Sequence, residues 1–117
     1  MTRRILIAEP NDDVRTMLEV IVRKLGYEPV GPDEIGLRHT VDAVLLEPSW
    51  MRALDVLNHF GDRVPPVICL SIYPPEARLA PPGTVAYLVK PASKEALATA
   101  LSNAFWQSSQ FEQRFVA

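Results

Sequence analysis

The sequence predicts a single α/β domain built on a parallel β-sheet, and three observations support that prediction. Short, fully apolar runs recur along the chain, as in strands that are buried on both faces of a sheet. Segments with helical spacing separate most of these runs, which is the alternation typical of βαβ units with right-handed crossovers. The chain has 117 residues, of which 48% are hydrophobic and 22% charged, enough for one domain with a substantial core but too few for two.

Apolar runs predict four strands, and the segment 27–30 is a possible further strand. The four are expected at residues 5–8, 41–46, 67–70 and 85–89. Almost all of the 11 prolines fall between these runs, where a fixed φ angle and a missing N–H do least harm. The prolines therefore mark boundaries and leave the sheet intact.

Three helices and two shortened crossovers are predicted between and after the strands. The first helix has Asn11 or Asp12 as its cap and ends at Gly26. The second covers 51–60, with its apolar face expected at Leu54, Leu57 and Phe60. A long final helix follows the cap Ser93. The second crossover, 31–40, is short and polar, with room for one helical turn or none. The fourth, 74–83, holds four prolines, so any helix there is one or two turns long.

Composition excludes several classes of function. The formal net charge is −2, which argues against a surface for nucleic acid or anionic membranes, since such surfaces carry clustered Lys and Arg. The N-terminal apolar run stops at Glu9, far short of a signal sequence or a membrane span. Cys69 is the sole cysteine, so an internal disulfide is impossible, and a reducing cytoplasm is expected.

Four polar residues directly follow predicted strands: Glu9, Glu47, Ser71 and Lys90. Ligands of an open parallel sheet bind at the carboxyl ends of its strands, so we expect these side chains to share one pocket. Two carboxylates can hold a hard cation such as Mg²⁺, and a hydroxyl and a lysine can grip phosphoryl oxygens. This set of groups is the one that phosphoryl transfer to a carboxylate requires.

Several stretches of the chain resemble the receiver domains of two-component response regulators. They lie at 5–9 with the helix through 14–15, and at 25–27, 42–47, 66–71 and 86–91, and the last, AYLVKP, is the most specific. The resemblance runs from about residue 5 to residue 101. It implies a flavodoxin-like, doubly wound sheet of five parallel strands. It also implies phosphorylation of an aspartate by a histidine kinase, with Mg²⁺ required.

Two positions depart from the family pattern. The family's acidic pair falls on Glu9 and Pro10, so one metal-binding carboxylate is replaced by a ring without an oxygen, and its phosphoacceptor aspartate falls on Glu47. The extra methylene of a glutamate displaces the carboxyl group, and a displacement of about 1 Å can cost roughly a hundredfold in rate. The resemblance also implies that the switch residues are kept as Ser71 and Tyr87.

These departures lead to the hypothesis of a pseudo-receiver that acts through protein–protein contact and is not switched by phosphorylation. No residue is assigned a catalytic role. Glu9 is half of a degenerate metal site, with no bound metal or weak Mg²⁺ at most. Glu47 either forms an ion pair with Lys90, the position equivalent to the phosphate-binding lysine, or reaches toward Ser71 and mimics the phosphorylated state.

Two alternative functions remain. One is a working phosphoacceptor receiver that uses Glu47 and a histidine kinase as its partner. The other is an unrelated flavodoxin-like binder of a nucleotide or small anion, although no Gly-rich phosphate loop follows the first strand.

The end of the chain predicts a contact surface. We expect a core over 1–105 and an extension of the last helix over 106–117. Four aromatic residues form the predicted patch for a second subunit or protein partner: Phe105, Trp106, Phe111 and Phe115. The alternative is that this tail folds back or frays. The shortened fourth crossover also implies that the family's usual dimer surface is remodelled.

Three further residues receive interpretations without chemistry. Trp50 is expected to pack over the space left by the short second crossover, or else to shield the pocket or contact a partner. Cys69 is expected to be a buried structural thiol. His39 and His59 have no other ligands at metal-binding spacing and are assigned no role.

Overall fold

The computed structural model describes residues 2–35, 40–73 and 80–115, with side chains in the last range described as far as residue 107. Five strands form one parallel sheet in the order β2-β1-β3-β4-β5, which confirms the predicted doubly wound fold. The strands are β1 (Arg4–Ala8), β2 (Glu28–Val30), β3 (Ala43–Leu46), β4 (Val67–Ser71) and β5 (Thr84–Val89). Each lies within two residues of its predicted bounds.

In the described ranges, three α-helices connect or follow these strands: α1 (Asp12–Lys24), α2 (Ala53–Asn58) and α3 (Lys94–Phe115). Asn11 is the cap of α1, because its side-chain oxygen accepts a hydrogen bond from the Val14 amide at 3.0 Å. Gly26 follows α1 with a φ of 90°, the left-handed conformation that glycine adopts most readily. The Ala96 amide donates to Ser93 Oγ at 3.0 Å, so the predicted cap of the last helix is confirmed.

The crossovers account for the main differences from prediction. In the second crossover, where one turn or none was expected, the described residues 31–35 contain one 3₁₀ turn, Pro32–Glu34. The helix predicted over 51–60 is shorter, and Leu54, expected on its packing face, is 62% exposed. Ala53 and Val56 are the residues that face the sheet instead. Residues 80–83 of the fourth crossover form no helix, and 74–79 lie outside the described residues.

The sheet separates two apolar layers, as expected for strands buried on both faces. One layer packs α1 and α3 against alternate strand residues such as Ile7, Leu45 and Ile68. The other packs α2 against their neighbours, including Leu6 and Leu46. Within the described ranges, no helix is both long and apolar enough to cross a membrane.

Phe105 belongs to this core, so its assignment to an exposed contact patch is wrong. It is 8% exposed. Its ring meets that of Tyr27 edge to face at 5.5 Å, and the Arg3 guanidinium lies 4.1 Å from its centroid. Residue 105 lies on the helix face that still reaches the sheet, whereas the adjacent Trp106 is 65% exposed. The helix continues through Phe111 and Phe115, whose side chains are outside the described part.

Cys69 is a buried thiol, as predicted. Its Sγ atom lies 3.6 Å from Thr84 Oγ1. Burial raises the pKa of Cys69, the contact with Thr84 lowers it, and the negative charge of Glu47 raises it further, so the net shift is upward. A buried thiol with a raised pKa is a poor nucleophile.

The core packing predicts that Leu101→Ala destabilises the fold by about 2–5 kcal/mol, because Leu101 is fully buried and its truncation leaves a cavity. Urea unfolding followed by circular dichroism measures the loss. The matched control is Met51→Ala, since Met51 is 92% exposed and its truncation is expected to change stability by less than about 0.5 kcal/mol. Equal effects of the two substitutions would contradict the packing of α3.

Candidate functional site

The predicted pocket forms at the carboxyl edge of the sheet. The register pairs Ala8 with Leu46, so Glu9 and Glu47, which follow them, lie side by side. The Glu47 amide donates to Ala8 O at 3.0 Å and fixes this arrangement. Glu9 is 5% exposed and Glu47 7% exposed. Two carboxylates are therefore buried next to each other, a costly arrangement unless a positive charge accompanies them.

Lys90 supplies that charge. Its Nζ atom bonds to Glu9 Oε1 and lies 3.1 Å from Glu47 Oε1. The side chain starts from the end of β5 and passes the end of β4 to reach both carboxylates. The Lys90 amide donates to Ser71 O at 2.8 Å, which holds the backbone from which the side chain extends. The expected ion pair of Glu47 with Lys90 is observed, and Glu9 shares the same ammonium.

The four carboxylate oxygens are unequally satisfied. Glu9 Oε2 accepts from the Asn11 amide at 3.1 Å, and its other oxygen is bonded to Lys90. Glu47 Oε1 is held by Lys90, whereas the buried Glu47 Oε2 has no hydrogen-bond partner within the described structure. Three of the four oxygens are therefore engaged, and the remaining one is Glu47 Oε2.

Ser71 and Tyr87, the predicted switch residues, converge on one backbone segment. Ser71 Oγ accepts from the Tyr73 amide at 3.2 Å, and the Tyr87 hydroxyl donates to Tyr73 O at 3.1 Å. Ser71 is fully buried. Its hydroxyl is bonded to Tyr73, while the one described contact of the Glu47 carboxylate is with Lys90. Glu47 therefore does not make the contact with Ser71 that mimicry by that route requires.

The charge balance of the cluster fixes the state of the lysine. Burial by itself lowers the pKa of Lys90, but the hydrogen bonds and charges of Glu9 and Glu47 outweigh it and raise the pKa above the ordinary lysine value. The Lys90 ammonium therefore stays protonated throughout the physiological range.

The donor set does not fit the divalent cation that the family resemblance implies. Mg²⁺ requires about six oxygen ligands at 2.0–2.1 Å. Pro10 offers no side-chain oxygen, and Glu9 and Glu47 both bond to an ammonium. Asp12 lies in α1, where it pairs with Arg15 at 2.6 Å, and does not replace the missing acid.

Trp50 lies beside the pocket, as expected from its place three residues after Glu47. It packs against the apolar layer under α2, and Arg52 lies 5.6 Å from its ring centroid. It also lines a groove of about 620 Å³ together with the turn Pro32–Glu34. This agrees with the prediction that Trp50 packs over the space left by the short second crossover.

Two contributors to the site were not anticipated. Tyr73 joins the two switch residues through its backbone, and Arg15 donates to Glu9 O at 3.4 Å. Any residue type can make the backbone contacts of Tyr73, so the sequence could not indicate its role. The role of Arg15 was indicated by its position, since an arginine one turn into the first helix faces back toward the strand end. His59 makes an edge-on contact with Phe60, and His39 is outside the described residues.

Comparisons with known proteins agree with this architecture. No protein-family model matches the chain, and no curated protein matches it. Solved structures do match. The receiver domain of the PhyR response regulator from Erythrobacter litoralis is 22% identical, with a TM-score of 0.74, over 90% of this chain and 91% of that one. A response regulator receiver domain protein from Clostridium thermocellum is 19% identical, with a TM-score of 0.71, over 93% and 98%.

A third solved structure is the receiver domain of the sensor histidine kinase PA1611 from Pseudomonas aeruginosa. It is 21% identical, with a TM-score of 0.71, over 91% of this chain and 99% of that one, and it has a magnesium ion coordinated in its active-site cleft. The chain therefore has the fold of response-regulator receiver domains.

Proposed function

We propose that this chain is a receiver-type signalling module that acts through protein contacts and is not switched by phosphorylation. The observation that carries the proposal is the position of Lys90, whose ammonium is bonded to Glu9 and lies 3.1 Å from Glu47. In the proposed role, these three residues hold strand ends together. The pocket then has a structural task and no chemical one, and we propose no enzymatic activity.

Phosphoryl transfer to a carboxylate needs a positioned nucleophile and a cation that neutralises the phosphoryl oxygens. The carboxylate at the acceptor position is buried and shares a lysine with Glu9. The magnesium ion of the Pseudomonas receiver domain lies in its active-site cleft, whereas the corresponding edge here has Pro10 beside Glu9. Glu47 weakens the requirement for a positioned nucleophile, and Pro10 weakens the requirement for a bound cation. Together they support a loss of phosphotransfer.

The switch residues support a fixed state. Ser71 and Tyr87 both bond to the backbone of Tyr73, so the end of β4 is tied to the middle of β5 without any added group. A module held in one state can still bind a partner constitutively. Proteins that carry receiver domains include regulators and kinases, so a protein partner or a second copy of this chain fits the proposal.

One observation supports the alternative function, in which Glu47 accepts a phosphoryl group. Glu47 Oε2 is buried without a hydrogen-bond partner in the described part of the chain, and a lone carboxylate oxygen at this position is a potential nucleophile. We therefore retain phosphorylation at Glu47 as the second candidate function.

Incubation with a small phosphodonor and Mg²⁺ separates the two candidates. We expect the intact mass of the wild-type protein, measured at neutral pH, to show no gain of a phosphoryl group. The matched control is the double variant Pro10→Asp with Glu47→Asp, which restores the missing acid at position 10 and the family's aspartate at position 47, and it is expected to gain one group. A stable phosphoryl group on Glu47 of the wild type would refute the proposal.

If Lys90 holds the strand ends together, its substitution should greatly lower the free energy of unfolding. Lys90→Met is expected to cost about 3–5 kcal/mol at neutral pH, because two buried carboxylates lose their counter-charge. The control is Lys94→Met at an exposed lysine, with a change of less than about 0.5 kcal/mol. Chemical denaturation measures both.

The same variant has a predicted pH dependence. The pKa of Lys90 is raised in the folded state, so its contribution to stability is complete below the unfolded pKa of about 10.4. The contribution is lost as the pH rises through the higher folded value. The stability gap between wild type and Lys90→Met should therefore shrink in strongly alkaline buffer, and a gap that widens there would contradict the ion cluster.

The extension of α3 predicts a contact with a second copy or a partner. The helix continues ten residues past Phe105, and Trp106 is 65% exposed. Removal of the residues after Ser108 is expected to lower self-association, measured by sedimentation at matched concentrations. Met51→Ala, which alters an exposed apolar residue outside α3, is the control and should change nothing. The same oligomer with and without the tail would refute this contact.

A further inference from the structure

The carboxylate pair at the strand ends is accompanied by a cation that belongs to the chain. We infer that Lys90 is the resident cation of this pocket and excludes divalent metal ions by occupying the carboxylate oxygens of Glu9 and Glu47. The inference goes beyond the proposed function, because it gives Lys90 a specific action against metal ions and identifies a latent metal site beneath the lysine.

The contacts of Lys90 are those of a shared cation. Its ammonium bonds to one oxygen of each carboxylate, which is the bridging position that a metal ion takes between two acidic ligands. The side chain is 13% exposed, and those of Glu9 and Glu47 are 4% and 8% exposed. Water therefore screens these charges poorly, and the position of the ammonium decides which other cation can approach.

A tethered cation has an advantage over a dissolved one. Lys90 is held by its backbone bond to Ser71 O, so its ammonium reaches the carboxylates without losing the translational freedom that a free ion loses on binding. Mg²⁺ also gives up tightly held water when it binds. The smaller loss of translational freedom and the cost of removing water from Mg²⁺ both favour the lysine over a divalent ion at millimolar concentration.

The unpartnered oxygen of Glu47 indicates that a metal site could form if the lysine were absent. Glu47 Oε2 is buried and has no described hydrogen-bond partner, so the pocket retains an acceptor that the ammonium does not satisfy. Removal of the ammonium would free Glu9 Oε1 and Glu47 Oε1 as well. Three carboxylate oxygens from adjacent strand ends would then be available, enough to anchor a hard cation that keeps several water ligands.

The test compares metal binding with and without the lysine. The host is Trp106→Phe, which leaves Trp50 as the sole tryptophan of the chain, next to the pocket. In this host we expect neither Mg²⁺ nor Mn²⁺ at millimolar concentration to give a saturable change in Trp50 fluorescence or a rise in melting temperature. With Lys90→Met added, both ions should bind saturably, and the melting temperature should rise by several degrees.

Two matched variants assign the effect. Lys94→Met should behave like the host, because Lys94 is exposed and outside the pocket. Glu47→Gln in the Lys90→Met background should abolish the gained binding. If Lys90→Met is unfolded without metal, folding on addition of Mn²⁺ gives the same positive result.

The host alone can still overturn the inference if neither form of the variant folds. Saturable metal binding in the host that Glu47→Gln removes would show that Lys90 does not exclude the ion. Equal metal affinities with and without Lys90 would overturn it as well. Phosphorylation is measured separately by intact mass, so failure of this inference and failure of the proposed function give different results.

Discussion

The contact of one ammonium with two buried carboxylates is the interaction on which the carboxyl edge of the sheet depends. Glu9 and Glu47 follow neighbouring strands that are paired through Ala8 and Leu46, so the fold itself forces their charges together. Lys90, which follows the edge strand β5, provides a positive charge that lowers the cost of burying these two carboxylates. A buried pair of this kind adds little net stability compared with apolar packing, but loss of one member leaves an uncompensated charge in the interior. The cluster therefore constrains all three residues at once.

In the function proposed above, the same constraint separates the fold from the chemistry that is usual for it. A doubly wound sheet brings polar residues to its carboxyl edge whatever their identity, so the architecture persists when single residues there change. Pro10 removes an oxygen and also fixes the backbone before Asn11, the cap of α1. Glu47 has one more methylene than an aspartate, which extends its reach toward the lysine. Both changes favour internal neutralisation over the binding of an external cation and phosphoryl group.

Much of the fold was predictable from the sequence because its signals are local. Apolar runs placed four of the five strands, and Ser93 and Gly26 marked helix boundaries that depend on one hydrogen bond or one backbone conformation. The errors arose where tertiary packing decides. Leu54 continued a helical pattern but faces solvent, and Phe105, placed by sequence among the exposed aromatics, is buried against Tyr27. Neither residue type nor spacing distinguishes the last helical residue that reaches the sheet from the first that does not.

The site shows a similar division between residue identity and geometry. Strand ends and the family resemblance identified Glu9, Glu47, Ser71 and Lys90, since position relative to a strand is a sequence property. The sharing of Lys90 by two acids was not predictable, because it depends on side-chain length across three strands. The role of Tyr73 was hidden for a related reason. Its amide and carbonyl, which any residue possesses, connect Ser71 to Tyr87. The state of a switch is therefore set by groups that the sequence does not distinguish, so two chains with the same switch residues can occupy different states.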